Sequence, residues 1–124
     1  MKIALDAMGG DHAPGHIVEG AMLALKEYET ISKLFLVGDE ERIQLELKRL
    51  SYSDSRVQIV HASQVVEMSD GATNSVRSKK DSSISRSVDL VKSGEAEAVV
   101  SAGHTGAAVA SSLIKLRTLR GIDR

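Results

Sequence analysis

The chain has no cysteine and no tryptophan, and its 124 residues include one phenylalanine, two tyrosines and one proline. Without cysteine, disulfides, thiolate nucleophiles and thiolate metal sites are excluded within this chain. So few aromatics leave little for stacking on nucleic-acid bases. A formal net charge of −1 also lacks the basic excess of a nucleic-acid binder, so no nucleic-acid partner is expected. No apolar run approaches the length of a membrane span. Strand-like residues Lys2 to Met8 open the chain and glycines follow at once, too soon for a signal peptide. A cytoplasmic protein is the expectation. Four histidines are scattered without a metal-ligand motif, with His16 near a helix start and His61 at a strand end.

The hydrophobic fraction of 42% comes mainly from Val, Ile, Leu and Ala, a mix that suits buried parallel strands covered by helices. A chain of this length can bury one core, so residues 1–124 are read as a single α/β domain. Ile3-Ala4-Leu5 reads as a buried strand. Ile17, Ala21, Leu25 and Tyr28 then recur at helical spacing, predicting a helix from about Pro14 to Glu29. Leu34 to Val37 is a second strand. Asp39 is placed to cap a helix with Ile43, Leu47 and Leu50 inward, and Arg42 and Glu46 stand four apart as an exposed pair.

Val57 to Val60 is a third strand. From Ala62 to Lys80 periodicity fades and polar residues accumulate, predicting a long loop interrupted at most by Val65-Val66. Asp81, Ser82 or Ser83 can cap the next helix, with Ile84, Val88 and Val91 buried and Gly94 at its end. Ala98 to Val100 is a fourth strand, and a last helix carries Val109, Leu113 and Leu116 inward. Strands alternating with helices at this spacing imply right-handed crossovers and a parallel sheet.

Two segments carry the chemistry. Asp6-Ala7-Met8-Gly9-Gly10-Asp11-His12-Ala13-Pro14 and Ser101-Ala102-Gly103-His104-Thr105-Gly106-Ala107 each turn an apolar strand into a helix. Paired glycines allow positive φ and turn amides toward a ligand, while Pro14 presets φ for a first helical position. Free amides at a helix start suit an anion, and two such turns suggest one pocket at the carboxyl edge of the sheet. Neither turn is a P-loop or a G-x-G-x-x-G fingerprint, so a nucleotide is poorly supported. Inorganic phosphate needs only amides, a hydroxyl and one cation. That cation could come from Arg77, Lys79 or Lys80, although a charge run is also what a solvated surface looks like. Asp6 would repel phosphate, so it is read as orienting the first turn.

These two turns and the run Arg77-Ser78-Lys79-Lys80-Asp81-Ser82-Ser83-Ile84 resemble the PlsX family, the phosphate acyltransferases of bacterial phospholipid synthesis. The resemblance covers nearly the whole chain. Family members are considerably longer, so an N-terminal portion, inactive alone, is expected. The resemblance implies an α/β/α sandwich with a mainly parallel sheet, shared with phosphate acetyltransferases and isocitrate/isopropylmalate dehydrogenases, with further strands beyond Arg124. It implies transfer of a fatty acyl group from acyl carrier protein to inorganic phosphate. No cofactor is implied. The resemblance also implies a homodimer and a peripheral place at the membrane beside a downstream membrane acyltransferase.

Under this resemblance Gly9, Gly10, Gly103 and Gly106 shape the turns, Thr105 donates to an oxyanion, and Lys79 or Lys80 supplies charge. His12 or Asp11 orients a polar group, while Ser82, Ser83, Ser101 and His104 are further candidate phosphate contacts. Two departures stand out: His104 occupies a position where the family usually has Asn, and Ala72 one where it commonly has Pro. A looser loop is expected from the second. If His104 faces the pocket, phosphate is expected to favour its protonated form. Two other readings remain open, namely a related enzyme using acyl-CoA and a non-catalytic anion-binding or assembly module.

Overall fold

The computed structural model describes residues 1–122. Its elements in chain order are β1 (Lys2–Asp6), α1 (Gly15–Glu27), β2 (Lys33–Gly38), α2 (Glu40–Arg49), β3 (Val57–His61), α3 (Ala72–Ser78), α4 (Ser83–Lys92), β4 (Ala98–Val100) and α5 (Thr105–Lys115). The four strands form one parallel sheet in the order β3-β2-β1-β4. Side chains alternate across it, as a period of two requires. Leu34 and Leu36 of β2 join Val18, Ala21 and Leu25 of α1 and Ile43 of α2 in one cluster. Phe35 and Val37 join Ala4 and Leu90 of α4 in another. Helices therefore cover both faces, giving an α/β/α sandwich. Among the described residues no helix is long and apolar enough to cross a membrane.

The strand order positions the site. From β1 the chain crosses over through α1 to β2 on one side, whereas β4 pairs with the other side of β1. The direction of winding reverses between β1 and β4. In an open parallel sheet such a reversal leaves a crevice at the carboxyl ends of the two strands. Both glycine turns begin there.

Several local expectations are corrected. The stretch from Ala62 to Lys80 is not all loop, because Ala72–Ser78 forms α3. That helix is short and has no side-chain cap, so little marks it in the sequence. It is held by Val76, packed with Ile84, Val88 and Ala107. Ala72 is its first helical residue, where proline is best tolerated in a helix. Pro14 is the residue before α1 rather than inside it, and Asp11 does not cap that helix. In α5 the buried positions are Ala107 and Ser111, while Val109 and Leu116 are exposed. The α5 stripe from Val109 to Leu113 instead borders an open groove with Val99 and Ile84. A second apolar groove, about 330 Å³, runs between α1 and β1 past Ile3, Leu5 and Ile17 and reaches Val100 at the end of β4.

Polar ties hold the long crossover to the sheet. Asp81 accepts from the Ser63 hydroxyl and amide and from Arg86. The Ser63 hydroxyl, then Arg86 and the Ser63 amide, hold its carboxyl at about 2, below the usual 3.8. A carboxylate with a lowered folded-state pKa stabilises the fold above its unfolded value and loses that contribution as pH falls through the folded value. Asp81→Asn is therefore expected to melt below the parent at pH 7, with the gap closing between about pH 4 and pH 2. Thermal melts followed by circular dichroism across that range check this; a gap that persists unchanged below pH 2 contradicts it.

Candidate active site

Register brings the two turns together. Leu5 of β1 pairs with Val100 of β4, so Asp6 and Ser101 follow side by side. The Ser101 hydroxyl donates to Asp6 Oδ2 at 2.8 Å, and the Met8 amide donates to Oδ1 at 3.2 Å. Asp6 is only 4% exposed, with both carboxylate oxygens engaged within the fold. It orients both turns. Ser101 in turn accepts from the Gly103 amide through its hydroxyl oxygen, which fixes the second turn on the same atom.

Gly9 and Gly103 make this junction sterically possible. A Cβ on Gly9 would lie 2.8 Å from Asp6 Oδ2 and 2.9 Å from the Gly103 nitrogen. A Cβ on Gly103 would lie 2.8 Å from Gly9 Cα. Gly10 has φ +114°, a conformation that L side chains resist. Among the described residues the amides of Gly10, Asp11 and His12 have no acceptor. Unpaired donors at the end of a strand and the start of a helix are what an anion binds.

Above the junction lies a cavity of about 340 Å³ lined by Met8, Gly10, Asp11, Arg42, Glu67 and His104, among others. His104 caps α5: its Nδ1 accepts from the Ala107 amide at 3.2 Å. That bond requires an unprotonated Nδ1, so Nε2 carries the proton and donates to the Asp70 carbonyl at 3.0 Å. Both ring nitrogens are thus engaged in the fold. The ring reaches the cavity wall, but protonation at Nδ1 would cost the cap.

The other sequence candidates separate. Lys79 donates to Asp70 at 2.6 Å and to the Val65 carbonyl at 2.9 Å, tying the crossover together. Lys79, then the Glu67 amide, lowers the Asp70 pKa. Lys80 stands away from the cavity, on a groove between α3, α4 and α5 with Arg77 and Lys115. Ser82 is buried and accepts from the Ser85 amide as the cap of α4. Ser83 is buried too, bordering a small crevice with Asp6, Gly9 and His104. Thr105 is exposed at the start of α5 and is not among the cavity's lining residues. Gly106 serves helix packing, since a Cβ there would lie 2.9 Å from Ala72 Cβ.

Two features escaped the sequence reading. Arg42 does not pair with Glu46, which instead accepts from Arg49 at 2.8 Å. Arg42 donates to the Ala13 carbonyl at 3.3 Å and lines the cavity. Only the parallel pairing of β1 with β2 places the start of α2 beside the first turn, so no local pattern could reveal it. The second is the pairing of His12 with His16; His12, a candidate from the sequence, is not among the residues lining the cavity. Its ring lies 4.7 Å from that of His16, and their separation of four residues was a legible signal. Among the described residues no group of three metal ligands forms around them.

A four-stranded parallel sheet with helices on both faces and two glycine turns at its switch point defines an α/β/α sandwich protein with a candidate site at the carboxyl edge. The chain belongs to the family described as Fatty acid synthesis protein, whose model matches residues 1–124. Among its relatives are proteins named phosphate acyltransferase. That of Akkermansia muciniphila is 56% identical over the whole of this chain and 36% of its own length. Those of Geobacter sulfurreducens and Pelotomaculum thermopropionicum are each 52% identical over the whole chain and 35% of theirs. The chain thus spans about a third of the length of these curated relatives.

Gly9→Ala is expected to force the two turns apart, lowering stability by about 1–3 kcal/mol. Gly20→Ala is the control, because nothing lies within 4 Å of its added Cβ. It replaces a mid-helix glycine and is expected to gain about 0.5–1 kcal/mol. Urea unfolding of the two variants checks the contrast, and equal stabilities contradict it. His104→Asn retains a capping acceptor and is expected to fold with near-parent stability, whereas His104→Leu loses the cap at about 1 kcal/mol. Thermal melts of the two against the parent decide; His104→Leu melting no lower than His104→Asn removes the cap as the reason.

Proposed function

We propose that this chain forms the phosphate-binding part of an enzyme that transfers a fatty acyl group from acyl carrier protein to inorganic phosphate. The observation that carries the reading is the junction of two glycine turns, with unpaired amides, in a chain related over its full length to phosphate acyltransferases. A phosphate oxygen attacks the thioester carbonyl, a C–O bond forms, the C–S bond breaks, and the thiolate takes a proton on release. Phosphate is already nucleophilic, and a thiol of pKa about 8.5 leaves without strong acid help. The protein's task is then to hold phosphate against the carbonyl and stabilise the oxyanion with oriented amides. In this reading Gly9, Gly10 and Gly103 let the backbone approach the anion, and Asp6 and Ser101 hold the two turns in register.

The acyl carrier protein enters as an acidic partner. Arg77 and Lys80 are exposed on the groove between α3, α4 and α5, where Lys115 is paired with Asp89, and the first two support an electrostatic approach from that side. Two thirds of the relatives' length lies outside the match, and the apolar groove between α1 and β1 offers surface for further chain or a second copy. Full activity and a homodimer are therefore assigned to a protein of the relatives' length.

The test mixes labelled phosphate with acyl carrier protein thioester, or with acyl-CoA, and either this chain or a polypeptide of the relatives' length. Acyl phosphate from the longer protein and the carrier thioester is the expected product, with little from the chain alone. Charge reversal at Arg77 and Lys80 is expected to slow the carrier reaction and to lose its effect at high salt. Exclusive use of acyl-CoA would replace the donor in this reading. No acyl phosphate from either donor would overturn it.

A further inference from the structure

The cavity beside the glycine turns carries a mixed set of charges. Arg42 is the cation among its lining residues, and Asp11 and Glu67 are the carboxylates, all three exposed. Arg42 stands in the first turn of α2, where its own amide donates to the Asp39 cap and its guanidinium reaches Ala13 of the first turn. It is thus positioned from the backbone outward, with donors to spare in its planar fork. Lys79, the nearest alternative in sequence terms, spends its donors on Asp70 and Val65.

Carboxylates on the wall of an anion site pose a physical question. Each accepts hydrogen bonds and donates none, so a fully deprotonated oxyanion gains from Arg42 and the amides but meets only repulsion from the carboxylates. An oxyanion that keeps a hydroxyl meets an acceptor instead. Near neutral pH phosphate carries at least one P–OH, whereas sulfate of the same size and shape carries none.

We propose that this cavity is a hydrogen-phosphate subsite in which Arg42 and the free amides of Gly10 and Asp11 take the anionic oxygens while a carboxylate of the Asp11 and Glu67 pair accepts the P–OH. The inference rests on the phosphate-binding reading and adds the selecting residues to it. Selection comes from what sulfate cannot supply: a P–OH donor for a carboxylate that would otherwise face a dianion unpaired. Arsenate keeps an As–OH and passes the same test.

Calorimetric titration of the protein of the relatives' length with inorganic phosphate, arsenate and sulfate measures this directly. Phosphate and arsenate are expected to bind with similar affinity and sulfate at least about tenfold more weakly. Arg42→Gln is expected to weaken phosphate about tenfold or more, and Arg42→Lys, which keeps the charge, to weaken it less. Asp11→Asn with Glu67→Gln is expected to bring sulfate to within a few fold of phosphate. Far-UV circular dichroism confirms that each variant is folded. Sulfate binding as tightly as phosphate to the parent, phosphate affinity untouched by Arg42→Gln, or no phosphate binding at all would overturn the subsite. A protein that makes acyl phosphate yet fails to discriminate sulfate keeps the enzymatic reading and loses this one. Discrimination without acyl phosphate formation does the reverse.

Discussion

One buried carboxylate governs the geometry of the carboxyl edge. Asp6 closes β1, receives the Met8 amide from its own turn and the Ser101 hydroxyl from the turn after β4. Because it is nearly inaccessible to solvent, loss of those donors would leave its oxygens buried without partners. The two turns are therefore not independent loops that happen to be neighbours. They share one acceptor, and the backbone contact of Gly9 with Gly103 follows from that sharing. Removing the carboxylate would leave Ser101 without its acceptor and both turns without a common origin.

The sheet supplies the reason this tie sits where it does. Parallel strands that wind outward in both directions from β1 leave the ends of β1 and β4 uncovered by a direct connection, and the crevice between them fills with turns. Helix packing behind the crevice is dense. Ile84, Val88 and Ala107 join α4 to α5, and Gly106 lets the start of α5 lie against Ala72 of α3. The His104 ring adds a polar link, from the cap of α5 to the carbonyl of Asp70, and Lys79 extends it to Val65. The wall of the cavity is consequently a chain of small contacts reaching from the sheet edge to the crossover segment.

Electrostatics in the cavity differ from a simple cationic cup. Basic residues that are contiguous in sequence diverge in space: Arg77 and Lys80 face an open groove, whereas Lys79 turns to Asp70. Arg42, distant in sequence, borders the cavity beside Asp11 and Glu67. A chain with near-zero net charge can thus present Arg77 and Lys80 on an open groove and a mixed-charge cavity elsewhere.

Strand positions, the capping of α2 by Asp39 and the burial of Ala21 and Leu25 in α1 are local properties that apolar runs and helical spacing in the sequence were enough to determine, whereas Tyr28, read as part of that stripe, lies past the end of α1 and is exposed. The presence of two glycine turns was equally legible, because Gly9-Gly10 and Gly103 break strands of unmistakable apolar character. Short α3 was illegible, since seven mostly polar residues gain their helix from packing by Val76 rather than from propensity. The exposed stripe of α5 misled for the converse reason: Val109 and Leu116 are apolar, yet no described element covers them. Which cation meets the first turn depended on the pairing of β1 with β2, and which atom joins the turns depended on the pairing of β1 with β4. Spacing along the chain fixes what a segment can form; register between segments decides which side chains share a site, because atoms 95 residues apart meet only through the sheet.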